Sequence, residues 1–259
     1  MDNKIIKFHS CHTSNHLSDK YMPAPVRSHI PDWYLEKDKH VKLSDGRYPI
    51  SFWKDKDGKT EPYRQLSWKS CPAILDIFMT GYYLFTPCDI EIKISGEYRN
   101  EYDISVSKEY EGHNHTKFCS IRREEEGFPT PYGYSPVHLV WRPNWYPQVP
   151  EGYTVLFTHP ININNLPFRT ISGFVDYAQE IVGPGNLPFF IQENWEGIIP
   201  AGTPYAQLIP IRNESWNHEI INNSPEEIEE FFKRKHKEDI VGPSQTKYKQ
   251  RSWLKKNYE

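Results

Sequence analysis

Alternation of apolar and polar residues along the middle of the chain predicts short β-strands. Between Asp89 and Ser95, the three isoleucines Ile90, Ile92 and Ile94 alternate with charged residues. This is the period of two expected of a strand with one buried face. Shorter runs of β-forming residues predict further strands at residues 82–86, 103–107, 117–121 and 137–141. The central part of the chain is therefore predicted to be β.

Residues 149–211 have the strongest β character, and we expect the rest of the chain to be organised around them. Several β-branched and aromatic runs are separated there by Pro, Gly and Asn. That spacing of strands and turns is typical of an all-β domain. The last run follows a turn at residues 200–204 and predicts a buried strand from Tyr205 to Ile211. The predicted fold class is mainly β.

The pattern changes near the C-terminus, where a helix is predicted from Pro225 to about Lys237. Ser224 suits the N-cap, Pro225 suits the first helical position, and Glu227 is placed to bond back to the cap. Three apolar residues then have the spacing that places them on one helix face: Ile228, Phe231 and Phe232. We expect the two phenylalanines to pack on the β body or on a neighbouring subunit.

The predicted organisation has three parts. They are an irregular N-terminal segment (1–68), a β-rich core (69–215), and a C-terminal helix with a basic tail (216–259). We expect the first segment to wrap the core, because no linker of flexible composition separates them. Within these parts, Asp57-Gly58 predicts a hairpin turn, and short helices are predicted after Pro31 and Pro72.

Charge and composition argue against several classes of partner. A net charge of -3 provides no broad basic field, so nucleic-acid binding is not expected. No apolar run approaches the roughly 20 residues that cross a bilayer, and the first residues lack the apolar core of a signal peptide. The cysteines form no C-x-x-C pair. The sequence therefore favours a cytoplasmic protein with reduced thiols and no membrane partner.

An N-terminal cluster is one candidate metal site. His9, Cys11, His12 and His16 bring imidazole and thiol groups close together in the sequence, and zinc prefers these ligands. No second ligand pair completes a known zinc-finger spacing. An ordinary N-terminal segment is therefore the alternative.

His113 and His115 are the second candidate metal ligands, and a divalent metal is the candidate cofactor. A His-x-His pair on a strand places both rings on one face, as in cupin metal sites. The cupin pattern also requires a glutamate a few residues later. Here Glu124 comes nine positions after His115, which is farther than that pattern has it. A polar loop is the alternative reading of this segment.

A carboxylate and two arginines are candidates for chemistry in the β core. Asp176 directly follows an apolar run, where both catalytic and turn-capping carboxylates occur. Arg142 and Arg169 are able to hold an anion by paired hydrogen bonds, although exposed arginines more often only solvate a surface.

Four segments, in order, resemble the motifs of trimeric dUTPases and dCTP deaminases. The segments are Thr80–Leu84, Pro150–Tyr153, Gly173–Asp176 and Ile199–Leu208. The resemblance covers roughly residues 72–211, and its last motif is the most specific. It implies a β-clip core, which is a distorted β-sandwich, with Asp176 activating water and Gln207 contacting phosphate.

The resemblance is interrupted at the site itself. Tyr83 stands where a metal-associated aspartate is expected, and residues 159–162 replace the Arg-Ser-Gly phosphate motif. Phosphate hydrolysis depends on metal and donors that neutralise developing charge, so the resemblance implies shared architecture with a rebuilt site. The ligand-binding candidates of that site are Tyr83, Arg169, Glu180 and Gln207, with Asp176 as the catalytic candidate.

A second set of features is similar to uncharacterised proteins of marine tailed phages and some bacteria. The features span residues 5–215 and include the segments Ile30–Tyr34, Cys71–Asp89 and Pro184–Pro210. This resemblance implies a phage or host protein as partner and carries no assigned activity.

Three functions from different classes remain open. The preferred one is a non-enzymatic β protein that acts as a homo-oligomer or assembly partner. Aromatic residues, which are enriched at interfaces, favour it, although each one also suits a core: Trp141, Trp145, Tyr146 and Trp195. The second is a nucleotide-binding or nucleotide-hydrolysing protein with a rebuilt site. The third is a metal-dependent protein that uses His113 and His115.

Overall fold

The chain divides into two compact units. The computed structural model describes residues 4–11, 19–54, 58–95, 101–106, 118–122, 129–178, 185–239 and 252–254. The β unit comprises residues 1–28 and 80–214, and the second unit comprises residues 29–79 and 215–259. The predicted N-terminal segment, residues 1–68, is thus shared between the two units.

Strands account for most of the regular structure. In chain order they are β1 (Lys7–Ser10), β2 (Ala24–Pro25), β3 (Ile50–Lys54), β4 (Thr60–Arg64), β5 (Tyr82–Phe85), β6 (Ile90–Ser95), β7 (Glu101–Val106), β8 (Cys119–Arg122), β9 (Tyr134–Trp141), β10 (Trp145–Gln148), β11 (Tyr153–Thr158), β12 (Phe168–Thr170), β13 (Gly173–Val175), β14 (Leu187–Gln192), β15 (Gly197–Ile199) and β16 (Pro204–Arg212). The α-helices are α1 (Asp32–Leu35), α2 (Pro72–Phe78) and α3 (Pro225–Asp239). Short 3₁₀ helices lie at Asp19–Tyr21, Val26–His29 and Trp68–Ser70.

Antiparallel sheets build the β unit. In the described residues, one sheet has the order β13-β11-β16-β5-β2, a second β12-β14-β9-β8 and a third β15-β6-β7, while β1 pairs with β10. The alternating isoleucines lie on β6, which pairs with both β7 and β15. The prediction of a mainly β protein with a C-terminal helix is confirmed.

One strand pair has no counterpart in the predictions. β1 pairs with β10 in the register Lys7 to Gln148 and Ser10 to Trp145. The β10 sequence Trp-Tyr-Pro-Gln lacks a period of two and contains Pro147, a residue found mainly in edge strands. Because β1 is itself short and polar, nothing local marks either strand.

Trp141 occupies the centre of the β-unit core. Its side chain is fully buried, and its ring stacks on Phe189 with centroids 3.7 Å apart and planes 6° apart. The indole Nε1–H donates to Thr170 Oγ1 at 3.1 Å, which gives the buried polar group a partner. The prediction that aromatic residues could fill the core thus holds for Trp141.

Gly81 directly precedes β5 and has a conformation that suits glycine. Its φ is +77°, and a Cβ at this position would collide with the backbone carbonyl oxygen of Leu208 on the neighbouring strand β16. Glycine is the residue that tolerates both conditions. The Thr80–Leu84 motif of the sequence therefore has a structural reason for its glycine.

The second unit holds an aromatic cluster and a hairpin. The rings of Trp33, Tyr34 and Phe78 pack together, with the Tyr34 and Phe78 centroids 4.8 Å apart. Strands β3 and β4 pair antiparallel around the predicted Asp57-Gly58 turn, which confirms the hairpin. Trp253 Nε1–H donates to the carboxylate of Asp76.

Helix α3 begins with the predicted capping box. The Glu227 N–H donates to Ser224 Oγ at 3.2 Å, and the Ser224 N–H donates to the Glu227 carboxylate at 2.8 Å. Two otherwise unpaired backbone donors are satisfied in this way. The helix extends to Asp239, two residues beyond the predicted end.

Candidate functional site

All four segments that resemble dUTPase motifs converge on one sheet. The first lies on β5, the second opens β11, the third forms β13, and the fourth leads into β16. These strands are neighbours in the order β13-β11-β16-β5. The fold thus brings together segments that are far apart in sequence.

Gln207 holds two backbone segments of the β unit together. Its side chain is fully buried on β16. The amide oxygen accepts from the Ile161 N–H at 2.9 Å, and the amide nitrogen donates to the Thr80 carbonyl at 2.9 Å. Both ends of the side chain therefore serve the fold, and a phosphate at Gln207 would have to compete with these bonds.

His159 ties the loop after β11 to strand β12. The Thr170 N–H donates to Nδ1 at 3.3 Å, and Nε2 lies 3.2 Å from the Ile163 carbonyl oxygen. A carbonyl can only accept, so these partners assign the proton to Nε2 of a neutral ring. Burial lowers the pKa of His159, a shift that the Ile163 carbonyl partly opposes.

The lowered pKa of His159 predicts a stability that depends on pH. The folded state binds the proton less readily than the unfolded state, whose histidine pKa is about 6.5. The resulting stabilisation is present above that value and is lost as the pH falls towards the folded pKa. We expect His159→Gln to reduce the loss of unfolding free energy between about pH 7.5 and 5.5, measured by urea denaturation.

The control for this prediction is His218→Gln, because His218 is exposed. Only the pH dependence is compared, since His159→Gln also weakens hydrogen bonds at every pH. Equal pH dependence in wild type and His159→Gln would contradict the assignment.

Tyr83 is a buried polar group with no partner in the described part of the chain. Its side chain is fully buried, and its hydroxyl makes no hydrogen bond to another described residue. Burial raises the pKa of Tyr83 to about 12. Tyr83 packs with Val26 and Phe85, so the aromatic ring contributes to a satellite core. Its hydroxyl stays neutral at physiological pH.

Asp176 is exposed and lines an open cleft of about 580 Å³. The cleft lies beside the turn before β11, and its lining residues are Glu151, Gly152, Tyr153, Asp176, Ala178 and Asn213. Among the described residues, the lining includes two carboxylates and no basic side chain. A phosphate group would need a cation to neutralise these charges there.

The other predicted residues are distributed differently. Arg169 is exposed on β12, which belongs to the second sheet, and does not line the cleft of Asp176. Arg142 donates to Ser120 Oγ at 2.7 Å. The remaining candidates lie outside the described residues: His12, His16, His113, His115 and Glu180.

Two members of the N-terminal cluster are described, and both help to hold β1 beside β10. The N–H of Cys11, which follows β1, donates to the Asn144 carbonyl at 2.8 Å. His9 stacks on Tyr146, with ring centroids 5.2 Å apart, and its Nε2 lies 3.1 Å from Gln148 Oε1. Burial raises the pKa of Cys11 to about 11, which disfavours the thiolate that a metal requires. In the part of the chain that the structure describes, no group of three or more His, Cys, Asp or Glu residues is placed to hold a metal ion.

A second cleft, of about 500 Å³, was not predicted from the sequence. As far as the structure describes the chain, its lining is uncharged and combines aromatic, amide, hydroxyl and apolar residues: Tyr134, Asn164, Asn165, Leu166, Pro167, Gln192, Trp195, Ile198, Ile199, Pro200 and Thr203. Such a lining provides hydrogen bonds without a fixed charge. The polar Asn164-Asn165 pair and the isolated Trp195 are the only sequence signals of it, and both are weak.

The remaining findings concern membranes and relatives. No described helix is long and apolar enough to cross a membrane. A comparison with family models, curated proteins and solved structures finds no match to this chain.

Proposed function

We propose that this chain is a non-enzymatic structural protein that assembles with further copies of itself through its C-terminal segment, residues 215–239. The observation that carries the proposal is the exposure of large apolar side chains along this segment. Trp216 is 86% exposed, Ile220 79% and Ile221 73%, within a stretch that has neither helix nor strand. Helix α3 continues the same exposure, with Phe231 at 49% and Phe232 at 58%.

Exposed apolar side chains in this number favour an interface. Single exposed apolar residues are ordinary, whereas a contiguous series marks a surface that another molecule covers. Six such residues, Trp216, Ile220, Ile221, Ile228, Phe231 and Phe232, fall within 17 positions of this segment. Trp and Phe are typical of interface centres. Burying these side chains on a partner would lower the free energy of the segment, because removal of apolar surface from water is the main driving force of association.

The arrangement of the candidate catalytic residues also supports a structural role. The Gln207 amide is engaged by two backbone groups, and the Tyr83 side chain lies in a satellite core. The four motif segments on one sheet support our further proposal that the core is a β-clip used as a scaffold. A phage-type protein with host or phage partners remains part of the same proposal.

The test is sedimentation velocity of the full chain at several concentrations. We expect a species heavier than the 30.7 kDa monomer, and we expect Trp216→Ser/Ile220→Ser/Ile221→Ser to shift it towards the monomer. The matched control replaces three exposed apolar residues of the β unit, Ile5→Ser/Phe174→Ser/Ile198→Ser, and should leave the mass unchanged. A wild-type chain that stays monomeric at every concentration would exclude self-assembly.

The cleft at Asp176 favours a second candidate function, the binding of a nucleotide with a divalent cation. Two carboxylates, from Glu151 and Asp176, are suitable ligands of Mg²⁺. A thermal shift with dUTP or dCTP that requires Mg²⁺ and is lost in Asp176→Asn would support it. Binding at a hundredfold excess over Kd would stabilise the folded state by roughly 2.7 kcal/mol. No shift with either nucleotide would exclude this candidate.

A further inference from the structure

We propose that helix α3 pairs antiparallel with α3 of a second copy of the chain, across a two-fold axis near Phe231. This inference rests on the self-assembly proposed above and names its contact surface. It concerns the helix, whereas the proposal above concerns the whole C-terminal segment. The occupant of the apolar face is identified by the distribution of charge along the helix.

The apolar face of α3 is short and central. Ile228, Phe231 and Phe232 share one face, and each is between 44% and 58% exposed. The helix has 15 residues, a length of about 22 Å at 1.5 Å per residue. In an antiparallel pair centred between Glu230 and Phe231, Ile228 of one copy lies within one residue, about 1.5 Å along the axis, of the level of Phe232 of the other, and the two Phe231 rings meet beside the two-fold axis. The face is therefore complementary to itself, as a two-fold contact requires.

Charge along α3 is divided between its two halves. Acidic residues follow the cap at Glu226, Glu227, Glu229 and Glu230, while Lys233 and Arg234 begin a basic half. An antiparallel pair places the acidic half of each copy beside the basic half of the other. A parallel pair would place like charges together and would also align the helix dipoles, which is unfavourable.

One pair of charged residues borders the apolar face directly. Glu227 and Arg234 are seven positions apart, so they lie on the same side of that face. The Arg234 guanidinium lies 5.8 Å from the centroid of the Phe231 ring, at the edge of the apolar face. In the antiparallel register, Glu227 of each copy is level with Arg234 of the other. Two equivalent ion pairs would therefore flank the central phenylalanines.

Lys233 provides an internal comparison. It precedes Arg234 by one residue, but it points away from the apolar face and pairs with Glu229 of its own helix at 2.6 Å. Both lysine and glutamate are more than 60% exposed in that pair. Reversing the charge at Lys233 therefore changes the net charge as much as reversing Arg234 does, without changing the proposed contact.

The experiment measures the dimer dissociation constant of full-length variants by sedimentation equilibrium. We expect Arg234→Glu to weaken the dimer by at least about tenfold, because each Glu227 then faces a glutamate on the other copy. Lys233→Glu should leave the constant within about twofold of wild type. Phe231→Ser/Phe232→Ser should abolish the dimer. The β-sheet signal in the circular dichroism spectrum of this variant should not change, since both rings are exposed.

A mixing experiment separates pairing from helix capping. Glu227→Arg removes the capping carboxylate and also places arginines opposite each other, so this variant alone should be monomeric. Mixing it with Arg234→Glu restores opposite charges at both contacts and should restore a heterodimer. A capping defect alone would not be rescued in this way.

The outcomes distinguish this inference from the proposed function. Assembly that is lost in Trp216→Ser/Ile220→Ser/Ile221→Ser but unchanged in Arg234→Glu and in the double phenylalanine variant would overturn helix pairing alone. Equal weakening by Lys233→Glu and Arg234→Glu would also overturn it. A wild-type chain that never assembles would overturn both.

Discussion

Replacing Trp141 by alanine is expected to destabilise the β unit by about 3–5 kcal/mol, the usual cost of removing a large buried aromatic side chain. The change removes the stacked contact with Phe189 and the edge contact with Phe168, and it leaves Thr170 without the indole donor. Urea unfolding followed by near-ultraviolet circular dichroism measures the loss. Because three sheet strands meet around this ring, the cavity has little freedom to collapse.

Trp141→Phe is the matched variant for this prediction. It keeps an aromatic ring against Phe189 and loses the indole N–H, so its cost should be smaller than that of alanine. A loss below about 1 kcal/mol for Trp141→Ala would contradict the central position of the ring in the core.

Gln207→Leu is expected to have the second largest effect, a loss of roughly 2–5 kcal/mol of unfolding free energy. Leucine has a similar size but cannot form hydrogen bonds, so the bonds of the Gln207 amide to the Ile161 N–H and to the Thr80 carbonyl are both lost. Losing a hydrogen bond whose remaining partner is shielded from water costs about 1–3 kcal/mol. Urea denaturation of the purified variant measures the sum.

The same substitution at an exposed glutamine is the control. Gln192→Leu on β14 should change stability by less than about 0.5 kcal/mol, because the Gln192 side chain is exposed. If Gln207→Leu were equally mild, the amide would not be holding the two segments together. A role in binding a ligand would then be the better explanation of Gln207.

Local signals predicted the parts of the fold that local physics determines. The alternating isoleucines of β6 identify a strand because successive side chains of a strand point to opposite faces, so the buried face appears as every second residue of the sequence. The α3 cap is likewise contained within four residues, Ser224 to Glu227. The hairpin of β3 and β4 was predicted from the Asp57-Gly58 dipeptide of the sequence. For these elements, neighbours in sequence are also the interacting groups.

Contacts between residues that are far apart in the chain could not be predicted from local sequence patterns. Gln207 bonds to groups 46 and 127 residues away, and no periodicity records such a pairing. The resemblance to dUTPases implied that Gln207 contacts a phosphate group. In the structure, its amide forms hydrogen bonds with two backbone groups instead. The pairing of β1 with β10 was missed for the same reason. Neither segment has a strand pattern of its own, and each is recognised as a strand only by its hydrogen bonds to the other. Asp176 was correctly expected at the end of an apolar strand, but its cleft is completed by Asn213 from beyond β16.

The discontinuous make-up of both units has a consequence for the order in which the protein can fold during synthesis. Strand β11 pairs with β16, and residues 29–79 share a unit with residues 215–259. The ribosome therefore produces the first half of the second unit long before its remainder, and the β unit lacks a central strand until Arg212 has been made. Neither unit is complete until both of its segments have been made. Nascent chains that end before Pro204 should consequently remain sensitive to protease, and protection of the β unit should arise only after β16 has been made.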